Sequence, residues 1–253
     1  MKIGCLALIA ILNTVRATAQ DGRQLVVHLS QPGKTFTLNV NISRAAINVI
    51  GYDGKDVIVG IDTDETKSRE KVDVTAHEKN NEVTVEAPDR KKVRLNIKVP
   101  RTQGIFKLSS VNGGRIMISD VTGNLEIQNK SGGISALNIS GSVIAGTLSG
   151  SIAVSFKKVD PTMPMAFSTV SGGINVSFPA DLKANLKIKS DLGKVYSDFD
   201  LVGDAAHPKL VRDEKDGVYH LSIDDWIFGR VGGGGPEFLI KNTNGNIHIY
   251  KTK

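Results

Sequence analysis

From Asn112 to Val154 apolar and polar positions alternate in short bursts, each opened by a glycine. The bursts read GGRIMI, GNLEI, GGISAL, GSVIA and GSIAV. Their opening glycines, Gly114, Gly123, Gly132, Gly141 and Gly150, fall at a fixed step of nine residues. A fixed repeat of this kind marks a stacked β architecture. Glycine supplies the positive φ or close backbone approach of a corner, and aliphatic residues two apart share one face of a strand. Ile116 with Ile118, Leu125 with Ile127, and Ile152 with Val154 are therefore predicted to point inward. Arg115, Asn124, Glu126 and Ser151 are predicted to point outward. A five-residue strand spans roughly 17 Å and cannot bury its inner face alone. Neighbouring units must cover it.

The burst returns at Gly172 (GGINVSF), Gly193 (GKVYSDF) and Gly245 (GNIHIY), the first two after 22 and 21 residues, about twice the first step. Two half-turns per coil account for both spacings. The prediction is an all-β, single-stranded β-solenoid with glycine corners and a full rung near twenty residues. An antiparallel meander or sandwich stays open, because nine-residue spacing also suits hairpins.

Before the bursts the alternation is less regular. Leu25 to Leu29, Thr35 to Val40, Ala46 to Ile50, Val57 to Ile61, Val72 to Ala76, Val83 to Glu86 and Val93 to Val99 are the predicted strands. Turn residues separate them at Pro32-Gly33, Tyr52 to Lys55 and Lys79 to Asn81. The polar run Asp62 to Lys71 reads as a loop. Residues 20–100 are expected to cap or extend the solenoid, since an uncovered terminal rung is a sticky edge, and residues 101–253 to form the repeat region. Phe156 to Met165 breaks the pattern with Pro161 and Pro164, and Leu201 to Asp216 reads as an irregular loop. Glu237 to Tyr250 supplies the last two strands.

Residues 1–19 differ from the rest: Lys2, the apolar run Ile3 to Leu12 and the small-residue site Ala17-Thr18-Ala19 read as a secretory signal peptide. No later segment approaches about 18 continuous apolar residues, so no transmembrane helix is expected after cleavage. Cleavage removes Cys5, leaving no disulfide or thiolate chemistry. Without Lys2 and Arg16, 30 basic residues face 26 acidic ones, a net charge of +4. Export, and basic residues interspersed with acidic ones, argue against nucleic acid as a partner.

The order IKVPR, VNGGRIMI, VTGNLEI, KSGGISA, ISGSVIA, TLSGSIAV, TVSGGINVSFP, SDLGKVYSDF and GGGGPEFLIKNTNGNIHIY is similar to the putative-adhesin β-helix domains of bacterial envelope proteins. It also resembles the related head GIN domain of putative autotransporter adhesins. The resemblance spans Ala46 to Lys251, and the closing Asn244-Gly245-Asn246-Ile247 is its most specific part. It implies a right-handed β-helix-like fold and an exported, non-enzymatic role in the periplasm or at the cell surface. It carries over no catalytic, cofactor or metal residue.

The chain itself offers little chemistry. His28, His77, His207, His220 and His248 show no metal-ligand spacing on one element, and a zinc site needs three or four converging ligands. Gly33-Lys34-Thr35 mimics the end of a P-loop, but His28 stands at its first glycine and no helix follows. Gly232 to Gly235 lacks the strand and helix context of a phosphate cradle. Calcium-binding nonapeptides need an aspartate where this repeat has Ser119, Gln128, Leu137, Gly146 and Ser155. Asp62, Asp64 and Glu65 read as solvated loop acids. For glycan cleavage the candidates are Asp198 and Asp200 beside Tyr196, and Asp224-Asp225 beside Trp226, since carboxylates about 5 to 9 Å apart can share acid and base roles. Sparse aromatics weigh against an enzyme. The outer faces carry Ser131, Ser135, Asn138, Ser140, Ser142, Thr147, Ser149 and Ser151, a polar ladder that suits either a soluble surface or an envelope glycan or protein partner. No cofactor is expected.

Overall fold

The computed structural model describes residues 15–16, 24–62, 73–88, 92–112, 114–203, 213–215, 218–221 and 226–252, and at 15–16, 213–215 and 218–221 the backbone alone. Nearly all of the predicted leader, Asp64 and Glu65, His207 and Asp224-Asp225 lie outside the described residues.

Every regular element among the described residues is a strand. In chain order these are β1 (Val15–Arg16), β2 (Gln24–His28), β3 (Phe36–Ile42), β4 (Ala45–Tyr52), β5 (Asp56–Asp62), β6 (Thr75–Lys79), β7 (Glu82–Glu86) and β8 (Val93–Pro100). Then come β9 (Gln103–Ser110), β10 (Ile116–Ser119), β11 (Thr122–Ser131), β12 (Ile134–Ser149), β13 (Ile152–Val159), β14 (Met165–Ser171) and β15 (Ile174–Pro179). The last are β16 (Ala184–Ser190), β17 (Val195–Ser197), β18 (Val202–Gly203), β19 (Asp213–Lys215), β20 (Val218–Leu221), β21 (Ile227–Val231), β22 (Glu237–Asn244) and β23 (Ile247–Thr252).

The strands join in one hydrogen-bonded sheet that folds into two faces. Along the first face the order is β2, β5, β8, β4, β10, the first half of β12, β13, β15, β23, β17, β20, β19. Along the second it is β1, β6, β7, β3, β9, β11, the second half of β12, β14, β22, β16, β21, β18. The interior ladders are parallel, as in a coil whose chain alternates between faces; antiparallel pairing appears only at the two ends. Each nine-residue burst is half a rung. Thus Gly123 pairs with Gly141, eighteen residues on, while the intervening Gly132 lies at the opposite corner.

The physical reason for stacking is quantitative. A half-rung buries two aliphatic side chains, each contributing about 2 kcal/mol. Ordering its five residues costs about 1–2 kcal/mol apiece. Only shared ladders and a continuous core reverse that balance. The core runs the length of the stack, and Ile116, Ile118, Leu125, Ile127, Ile152 and Val154 all lie in it. Phe156 and Phe178 of the first face stack at 5.2 Å, and Phe178 stacks on Phe238 of the second at 5.5 Å, so aromatic rings bridge the faces.

Spatial order departs from chain order at both ends. Rung β3–β4 sits between β7–β8 and β9–β10, and the closing rung β22–β23 sits between β14–β15 and β16–β17. The chain's last two strands are therefore not the end of the stack. Inserted this way, both edges of β22 and β23 are hydrogen-bonded, and the outermost positions fall to short antiparallel strands, which are poorer templates for aggregation.

Candidate functional site

The second face presents its outward side chains in rows that run across the strands. One row reads Ser109, Gln128, Gly146, Ser168, Lys241 and Lys189; its neighbour reads Lys107, Glu126, Ile144, Ala166, Leu239 and Lys187. Gly146 has no side chain to fill its place, and Ala166 and Ser168 are small. A shallow groove of about 380 Å³ results, edged by Gln128, Ile144, Leu148 and Val170. Three of these edge residues, Ile144, Leu148 and Val170, are apolar and close to half exposed.

Toward the far end of the same face the surface turns basic and aromatic. Lys189 faces Lys241 across the β16–β22 ladder, with Lys187 one position along the face. The Trp226 ring lies 4.8 Å from the Lys187 Nζ, 5.9 Å from that of Lys241 and 6.0 Å from that of Lys189. Phe228 adds a second ring 5.7 Å from Lys187. Among the described residues the carboxylate paired with this trio is Asp191, 3.4 Å from Lys189. These residues come from three separate strands, and the insertion of β22 between β14 and β16 brings Lys241 to the lysines of β16. Neither the groove nor the trio is visible as a sequence motif. A second cleft of about 340 Å³ lies at a corner, lined by Lys157, Lys158, Lys183, Asp181 and Pro161. Beside it the Thr162 hydroxyl and amide donate to Asp160 at 2.7 and 2.9 Å, holding that carboxyl below its usual range.

The residues singled out from sequence go elsewhere. Asp198 and Asp200 are exposed and lie beyond the end of β17, and neither lines the groove; Asp198 accepts the Lys251 amide at 3.1 Å. His248 stands on the outer side of β23, stacked between Tyr196 at 4.5 Å and Tyr250 at 5.7 Å. His28 contacts Asp56 at 3.0 Å, and Asp62 pairs with Arg94 at 3.4 Å. Among the described residues no group of three or more His, Cys, Asp or Glu converges to hold a metal ion. Gly33 lies in a turn leading into strand β3, and Gly232, Gly233 and Gly234 form the turn joining β21 to β22.

Two residues placed on the polar surface are buried. Ser142 is covered, its hydroxyl donating to Asn124 Oδ1 at 2.9 Å. Thr147 faces inward and belongs to an internal polar ladder: Ser110, Asn129, Thr147, Thr169, Asn242 and Ser190 align across six strands. Each donates to a corner carbonyl of the adjacent rung. Asn129 reaches Gly114 at 2.7 Å, Thr147 Gly132 at 3.0 Å, Thr169 Gly150 at 2.9 Å, Asn242 Gly172 at 3.2 Å and Ser190 Gly245 at 3.1 Å. Ser110 serves Ala45 at 2.8 Å. The signal is present in the sequence: Asn129, Thr147, Thr169, Asn242 and Ser190 each stand three residues before a burst-opening glycine.

A family model described as Toastrack DUF4097 matches residues 13–224. No curated protein matches the chain. A solved structure described as a putative cell adhesion protein from Clostridium sporogenes is 15% identical, with 91% of this chain and 99% of that one covered and a TM-score of 0.43. Another, described as a putative adhesin from Bacteroides fragilis, is 13% identical, with 94% and 97% covered and a TM-score of 0.30. Among the described residues no helix is long and apolar enough to cross a membrane.

Proposed function

The chain belongs to the Toastrack DUF4097 family, and from that premise we propose that it is an exported, non-enzymatic binding module of the bacterial cell envelope. On this reading the first nineteen residues are a leader. The remainder is a right-handed coil with glycine corners, displayed in the periplasm or at the surface, that holds an extended polymer against its second face. The observation that carries the reading is the groove at Gly146, whose row continues strand by strand to Lys241 and Lys189. A row crossing parallel strands about 4.8 Å apart suits a ligand that repeats along its length. Neither Asp198 nor Asp200 lines this groove, and the residues that do are small, polar or aliphatic, which favours holding a polymer over cleaving it.

Filling the groove tests the reading. Gly146 lies outside the left-handed φ region, and an added Cβ would meet the mobile end of Gln128, so Gly146→Arg is compatible with the fold. The wild-type chain should co-sediment with isolated envelope polysaccharide; its loss from intact cells on protease treatment would put it at the surface, and its protection in the periplasm. Gly146→Arg should lose the co-sedimentation. Protection from protease together with a stable complex with an envelope protein, and no sedimentation with polysaccharide, would contradict the proposal in favour of a periplasmic scaffold.

A further inference from the structure

We propose that Lys187, Lys189 and Lys241, with Trp226, form an anion-binding subsite that makes the polymer held on the second face an acidic polysaccharide. This rests on the reading above. Like charges directly opposite on neighbouring strands destabilise a sheet, and Lys189 and Lys241 are opposite in register, with Lys187 beside them. What holds the cluster together is the Trp226 ring at 4.8 to 6.0 Å from all three ammonium groups, together with Asp191 on Lys189. Among the described residues Lys187 and Lys241 have no carboxylate partner. An arriving anion would relieve the repulsion and gain charge-assisted hydrogen bonds.

The surroundings favour a sugar polymer as the carrier of that anion. Trp226 lies partly exposed beside the cations, the pairing that stacks on the C–H face of a pyranose while the ammonium groups take its acid. Ser168 lies next to Lys241 in the same row, and the groove floor at Gly146 follows it. From Gln128 to Lys189 the row crosses five strands, roughly 19 Å at the usual spacing, enough for several sugar units.

Trp226 is the single tryptophan of the chain, so its fluorescence reports on the subsite directly. The test is a titration of the full chain with polygalacturonate, with its fully methyl-esterified form and with vesicles of anionic phospholipid. The expected result is a saturable change with polygalacturonate alone, weakening as salt rises and the charges are screened. Lys187→Gln and Lys241→Gln should each weaken binding roughly tenfold, as loss of a hydrogen bond to a charged group does. Lys158→Gln, at the corner cleft, should leave it unchanged. Equal response to the esterified polymer, response to the vesicles in place of the polymer, or an equal loss with Lys158→Gln would overturn the proposal. The two readings separate cleanly. If envelope polysaccharide sediments with wild type and with the lysine variants but not with Gly146→Arg, the groove stands and the acidic ligand falls. If Gly146→Arg sediments like wild type, the groove falls first.

Discussion

Gly132 allows the rung beneath to approach closely, and its own carbonyl is served by the Thr147 side chain. Gly132 holds φ at +138°, and a Cβ there would overlap the Gly114 carbonyl in the rung beneath. Rungs thus touch backbone to backbone, and the carbonyls of Gly114, Gly132, Gly150, Gly172 and Gly245 accept from the inward Ser, Thr and Asn ladder. An unsatisfied buried carbonyl costs about 1–3 kcal/mol. Asn242→Ala, which strips the Gly172 carbonyl of its donor, should lower stability to urea by about 2 kcal/mol. Asn242→Thr should stay near wild type, because threonine serves the equivalent positions 147 and 169. Polarity alone places Thr147 on the outer surface, but the hydrogen bond to the Gly132 carbonyl turns it inward. The polar residue three places ahead of Gly132, Gly150, Gly172, Gly193 and Gly245 is the sequence signal for the ladder. Hydrogen bonds from Thr162 lower the Asp160 carboxyl, so whatever stability they give is present at neutral pH and is lost as pH falls through the native titration. In Thr162→Val, carboxyl NMR should show Asp160 titrating at higher pH.

The half-rung was the most legible element. Strand positions such as β7, β8 and β15, and the inward pairs of the bursts, follow from period-two alternation, because a one-residue slip would expose every core side chain; β13 runs on to Val159, through the start of the predicted break at Phe156. Chain order could not disclose where the last rung goes. Gly245 is as compatible with the end of the stack as with the gap between Gly172 and Gly193; only the three-dimensional ladder distinguishes them. The consequence is dynamic. Chain termini usually fray, but β22 and β23 are paired on both edges. Hydrogen exchange should therefore find the amides of Phe238, Ile240, Ile247 and Ile249 as slow as those of Ile127 and Val154. Fast exchange there, as in an ordinary terminal strand, would contradict the insertion.

For the whole molecule, the inserted rung is also what builds the candidate site. β22 carries Lys241 and Leu239 into the outer rows, joining the groove near the middle of the stack to the lysines of β16. Sequence reading reached a polar outer surface and a binding role but no residues, because the site is assembled from β12, β14, β16, β22 and the residue before β21. No local motif encodes it. Asp198 and Asp200 are a local motif, and neither lines the groove.

Lysine footprinting tests this assembly most directly: acetylation of the chain alone and in the presence of envelope polysaccharide, with each lysine quantified by mass spectrometry. The account predicts protection of Lys187, Lys189 and Lys241 on the second face, with Lys98, exposed on the outer side of β8 on the first face, labelled equally in both samples. Unchanged labelling of the trio, or protection centred on Lys98, would contradict it.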